Sequence, residues 1–309
     1  MSNDLPQSAI SRLAEIKASG TWGSALTSDE FAAIRSAGFE ATGQVLGACV
    51  YNLGWTGGYF CPGGGMYGYR GYYQSRTQVS SGGRGYGSGG SFGPLVKAMY
   101  DARRTAIARM VEECRALGGH GVVGVRLTIG SFPTGGLEFK AIGTAVHSPA
   151  APQLKTPFTS DLNGQDFAKL IMKGWVPAGL VLGISVGARH DDWQTRAQTR
   201  WGAGNTEVTG YTQLVNETRH DARQELRKDV QRLGAEGVVI ASMDLRVSER
   251  ECPAQEGSRD HIVEATTIGT AIVRFSHPAE VRGKPALAIM SLDPQRRQAA
   301  RTSIGQNRL

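Results

Sequence analysis

The side chains of this 309-residue protein that can do chemistry are few and scattered. Its four cysteines, Cys49, Cys61, Cys114 and Cys252, form no C-x-x-C pair, so neither a zinc ribbon nor a dithiol redox centre is written into the spacing. The densest cluster is "GARHDDW" at 187–193, which gathers His190, Asp191 and Asp192. With Cys61 and Cys252 these three are the candidate ligands for a divalent or soft metal, because thiolate and imidazole donors select such ions. Successive strand residues point to opposite faces, so His190 and Asp191 can share an ion only in a loop. A surface acidic patch is the simpler reading, with the cysteines as free thiols of a reducing compartment.

Catalysis has less support. There is no P-loop and no H-E-x-x-H, and the glycine-rich stretch lacks the strand-turn-helix setting of a dinucleotide fingerprint. The sequence therefore reads as non-enzymatic. A composition of 40% hydrophobic and 20% charged residues suits a globular protein of about two domains. The formal charge of +7 favours anionic partners only weakly, since it is spread along the chain. No apolar run is long enough to cross a membrane as a helix, and the first residues lack a secretory pattern; a cytoplasmic protein is expected.

The elements that must position these residues are set by an internal duplication. "FAAIRSAGFEATGQVLGACV" at 31–50 lies over "FAKLIMKGWVPAGLVLGISV" at 167–186 without a gap. Arg103 and Ala106 match Arg219 and Ala222, "LGGHGVV" at 117–123 matches "LGAEGVV" at 233–239, and "IGTAV" at 142–146 matches "IGTAI" at 268–272. Cys49 then corresponds to Ser185, Cys114 to Val230 and His120 to Glu236, so no thiol or imidazole is kept in both copies.

Each copy reads as short helix, strand, long helix, strand, strand. In the first, Leu95, Met99, Ala102, Ala106, Met110, Cys114 and Leu117 recur at steps of three and four, forming one helical stripe that Gly118 ends. "GVVGVRLTIG" and "LEFKAIGTAVH" follow as a hairpin. The second copy places a helix at about 211–233 and strands near 237–247 and 262–275. Such a small sheet covers one helix and leaves its other face to be covered by a neighbour.

The matched residues, "AR" at 102–103 with Ala106, "ALGGHGVVGV" at 116–125 and "IGTAV" at 142–146, together with Gly210-Tyr211 eight residues ahead of Arg219, resemble the YbjQ family of small bacterial proteins described as heavy-metal-binding. The resemblance covers about 31–147 and 167–275; Leu95 stands where the first copy lacks the tyrosine. It implies an α+β fold of two tandem small-sheet and long-helix domains akin to the dodecin subunit. It also implies self-assembly into a ring, commonly a pentamer, with the repeats in two stacked rings or alternating in one. Arg103, Arg219 and Tyr211 are the candidate interface residues.

The expected organisation is an N-terminal helix or arm over 1–25, a first domain at 26–148 with a Gly/Tyr-rich insertion at 54–93, a linker at 149–160, a second domain at 161–276 and a basic tail at 277–309. The insertion, too rich in glycine to pack, reads as a long loop with a strand near 72–80. The insertion or the tail could engage a protein partner. The Tyr, Phe and Arg side chains of the insertion are also of the kind that stack on single-stranded nucleic acid, which is the alternative function.

Overall fold

The computed structural model describes residues 5–21, 23–52, 77–81, 92–132, 136–151, 154–252 and 259–275. Helix α1 (Gln7–Ser19) buries Ala9 and Leu13 and stops at Gly20, whose φ of 67° is left-handed. The first repeat is then α2 (Ser28–Ser36), β1 (Glu40–Asn52), α3 (Gly93–Ala116), β3 (Gly121–Phe132) and β4 (Gly136–His147), with β2 (Thr77–Ser81) between β1 and α3. The second is α4 (Gly164–Met172), β6 (Trp175–His190), α6 (Thr209–Arg232), β7 (Gly237–Glu251) and β8 (Arg259–Arg274), preceded by β5 (Phe158–Thr159) and carrying α5 (Trp193–Gln198) before α6.

Both short helices start at a side-chain cap: Thr27 and Glu30 form a reciprocal capping box on α2, and the Asn163 side chain accepts from the Asp166 amide on α4. No described helix is long and apolar enough to cross a membrane.

Two four-stranded sheets result, ordered β1-β4-β3-β5 and β2-β6-β8-β7. Within each, the three strands of the repeat share one antiparallel order, and the fourth strand comes from elsewhere. Strand β2, from the insertion of the first repeat, pairs with β6 of the second. Strand β5 pairs in parallel with β3 of the first. The stretch expected as a linker thus joins the first sheet at Phe158–Thr159.

The predicted stripe of α3 packs Ala102, Ala106, Met110 and Cys114 onto Val45, Cys49, Val122, Phe139 and Ala145 of its own sheet. The N-terminal part of the stripe, Leu95 and Met99, turns instead with Phe92, Val96 and Tyr100 to pack on Leu182, Ile184, Val186 and Ala188 of β6. Alternation along β6 sends Val181 the other way, toward Leu226 and Val230 of α6. Helix α3 therefore lies between the two sheets, and β6 is buried without a break from Val181 to His190. Each large apolar side chain so buried contributes about 1.5–3 kcal/mol. The expectation that a sheet face needs a neighbour's cover is met inside the chain for the second sheet. On the first sheet the corresponding face is more open, with Leu46 and Ala48 half-buried and Val50 exposed.

Candidate functional site

Two places gather the side chains singled out above. The first is the end of the second sheet, where the last residue of β6, His190, stands directly across from Asp260 of β8. Its Nδ1 lies 2.7 Å from Asp260 Oδ1. Cys252, one residue beyond β7, closes the group. One donor atom from each of His190, Cys252 and Asp260 falls within 4.8 Å of the other two, and all three residues are buried. An imidazole, a thiol and a carboxylate on three adjacent strands form a donor set suited to a borderline or soft divalent cation.

Asp191 points away from this group, as alternation requires. It accepts from the Tyr211 hydroxyl at 3.1 Å and lies 3.1 Å from His261 Nδ1, while Nε2 of the same ring is 3.3 Å from Glu249. Burial, then the Asp191 carboxylate, pushes the Tyr211 phenol above its ordinary range. The hydrogen bond from Arg259, then His261, draws Glu249 below the usual carboxylate range. Asp192 faces a third way: it caps α5 by accepting from the Thr195 amide at 2.7 Å and pairs with Arg189 at 3.2 Å. His190 and Asp191 of this stretch are thus buried and Asp192 half-buried, so they do not form a surface acidic patch. Charges there are tolerated because Asp191 accepts from Tyr211 and lies against the His261 ring, and Asp192 accepts from the Thr195 amide and pairs with Arg189.

Cys61 lies outside the described residues. Cys49 and Cys114 are core thiols, donating to the carbonyls of Ala102 and Gly121. Burial raises both thiols, Cys114 to about 12, which keeps them from acting as thiolates. The residues on which the nucleic-acid reading rests, in the insertion and the tail, lie outside the described residues apart from β2 and the start of α3.

The second place is the contact between the repeats. Arg103 is buried over the Phe139 ring, its guanidinium carbon 5.5 Å from the centroid, and lines a cavity of about 420 Å3 with Lys140, Asp244, Arg246 and Glu264. Burial lowers its pKa against the opposing pull of Glu264; burial likewise raises Glu264 against the pull of Arg103 and Arg246. Arg103 of the first repeat thus meets the second. Its counterpart Arg219 is half-buried, and its Nε has no hydrogen-bond partner among the described residues. Tyr211 is engaged within its own repeat by Asp191.

The sequence comparison missed a matched pair of latches upstream of the aligned blocks. Ser24 Oγ lies 3.2 Å from Thr144 Oγ1, which also accepts from the Ala25 amide. Ser160 and Thr270 repeat this at 3.1 Å, with the Asp161 amide in the place of Ala25. The second latch segment does more: it hydrogen-bonds to the edge of β3 through Phe158 N to His120 O, Ser160 N to Val122 O, Gly124 N to Leu162 O and Val125 N to Ser160 O. The signal was present in the paired "SAL" and "SDL" tripeptides. The threonines of "IGTA" carry no local signal beyond that of a strand. Asp260 was missed for another reason: only strand register sets it opposite His190.

Fold and site together define a protein of two sheets made from tandem α+β repeats, with a buried His/Cys/Asp group in one repeat. The profile of a family described as "Putative heavy-metal-binding" matches residues 86–148 and 176–274, one segment in each repeat. The Encapsulin nanocompartment protein Rv1762c of Mycobacterium tuberculosis is 33% identical over 281 residues, 88% of this chain and 93% of that protein. A UPF0145 protein of Halorubrum lacusprofundi is 46% identical over 59 residues, 19% of this chain and 57% of its own. UPF0145 protein TTHA1944 of Thermus thermophilus is 39% identical over 66 residues, 21% and 58% respectively. The chain belongs to the YbjQ family, as a tandem repeat.

Proposed function

We propose that this protein is a non-enzymatic, cytoplasmic scaffold that assembles with copies of itself head to tail. Its two domains, 26–148 and 161–276, act as successive modules. The observation that carries the reading is an asymmetry between matched edges. The far edge of β3 is paired with residues 158–162. The far edge of β7, its counterpart, has no paired strand among the described residues and leaves Ile240, Met243 and Val247 exposed at 46%, 42% and 58%. An open apolar edge is a template for another chain.

The matching segment that would fill it is 23–26, the counterpart of 159–162, held ready by the Ser24–Thr144 latch. In the same arrangement Arg219 would face Glu138 of the next chain, as Arg103 faces Glu264 across the cavity within one chain. A contact of one patch with a different patch closes into rings or extends into filaments. The family resemblance favours the ring. With repeats alternating, five chains would contribute ten modules. Similarity to Rv1762c across nearly all of that protein, with its name as a nanocompartment protein, also supports an assembling role.

The contact between chains is the looser of the two. Gly164 lets α4 approach the Glu30 backbone, whereas Ser28 stands at the matched place in the first repeat. Val96, Tyr100 and Arg104 on α3 are replaced by Thr212, Asn216 and His220 on α6. Charges and polar groups then carry more of the association, so it weakens with salt. Light scattering coupled to gel filtration tests this: the full chain runs as a multiple of itself in low salt and shifts toward a single chain as salt rises. A single chain at every salt concentration and micromolar protein overturns the reading.

A further inference from the structure

We infer that the second repeat holds one exchangeable divalent metal of the zinc class per chain, bound by His190, Cys252 and Asp260. The family description names metals but no residues, and neither the relatives nor the assembly reading locates a site. The inference stands on these three side chains alone and is independent of self-association.

The donors are brought together by the sheet. Register sets His190 of β6 opposite Asp260 of β8 and, one step outward, Glu251 of β7 opposite Arg259 of β8, so Cys252 emerges beside the pair. Backbone pairing fixes the starting points of His190 and Asp260, and Cys252 follows directly on the last paired residue of β7, which limits the ordering needed on binding. Zinc-to-donor distances of about 2.0–2.3 Å place donor atoms under about 4 Å apart in a tetrahedral set. The observed group lies within 4.8 Å, so donors would shift by about an ångström, the wider separations closing and the 2.7 Å His190–Asp260 contact opening. Metal binding by a thiol and an imidazole displaces protons, and the bound charge would take the place of the 2.7 Å His190–Asp260 contact in holding the ligands together.

The donor types select the metal. One thiolate and one imidazole beside a single carboxylate are wrong for calcium or magnesium, which take oxygen ligands, and right for Zn2+ or Cd2+. Three protein donors leave a coordination position for an exchangeable ligand, unlike the four of a closed structural site. Among the described residues the first repeat shows no such set, and in the sequence Gly54 stands at the place matched to His190, so one metal per chain is expected. Around the group, Asp191, Tyr211, His261 and Glu249 form a second tier of polar contacts that holds the ends of β6, β7 and β8.

The experiment is a Zn2+ titration of the reduced full chain, purified without an affinity tag, beside Cys252→Ser, Asp260→Asn and His190→Ala. One equivalent is expected to bind the native chain, with affinity at least 10-fold weaker in each variant. Alkylation followed by mass spectrometry provides a readout that needs no variant to fold: Zn2+ should slow modification of Cys252, and a chelator should restore it. Stoichiometric binding undiminished in a folded Cys252→Ser chain, or a Cys252 alkylation rate unchanged by Zn2+, overturns the assignment. Loss of zinc binding with assembly unchanged supports this site without touching the scaffold reading.

Discussion

Gly47 and Gly183 occupy the same place in the two repeats, and each is where a strand passes so close under its long helix that no side chain fits. A methyl group at Gly47 would lie 1.9 Å from the Ala106 carbonyl oxygen, and one at Gly183 would lie 2.0 Å from that of Ala222. The obstacle is helix backbone, which cannot swing aside. Gly47→Ala and Gly183→Ala should each cost about 3 kcal/mol or more in denaturant unfolding, at the upper end for overpacked cores. Gly202→Ala, with nothing within 4 Å, should stay within about 0.5 kcal/mol of the native chain.

The repeats are also joined by a hydrogen bond that a single atom removes. Tyr100 of α3 accepts from the Ile184 amide of β6 at 2.8 Å, with both residues buried. Tyr100→Phe keeps the ring and its packing but strands a buried N–H. Thermal and denaturant unfolding should show a loss of about 1–3 kcal/mol. An unchanged midpoint would mean that the amide finds another partner.

Glu264 makes stability depend on pH. Burial raises its pKa above the ordinary 4.5, with Arg103 and Arg246 opposing the shift only in part. The folded chain therefore keeps this proton to higher pH than the unfolded chain does. Stability from this group is full below 4.5 and declines as pH rises through the folded value. Glu264→Gln removes that decline. The unfolding free energy of the variant relative to the native chain should grow from pH 4.5 upward, measured by urea denaturation at a series of pH values. A constant difference across that range would show that Glu264 titrates normally.

Much of this architecture was legible because the duplication repeats where packing is tight. Gly47, Gly118, Ala106 and Leu117 of the α3 stripe and "IGTA" all match their second copies, and all lie in the core or at helix ends. What could not be read is what crosses between the repeats. Strand β2 joins the other repeat's sheet, and residues 158–162 join the first; neither follows from local pattern, because a strand's partner is chosen by tertiary contact. Arg103 shows the same limit. Its helical position placed it beside the stripe, but only the second sheet explains why it is buried. At the metal-type group, sequence brought out His190 and Cys252, and register supplied Asp260. Asp191 and Asp192 adjoin His190 in the chain yet turn to Tyr211 and to the start of α5.

The open edge of β7 is where the account is most exposed to test. Native mass spectrometry of the full chain beside Ile240→Asp addresses it directly, since Ile240 is on the surface and its replacement leaves the core intact. The predicted result is integer multiples of the chain mass for the native protein and a single chain for the variant. A single chain in both, or the same multiples in both, would contradict assembly through that edge.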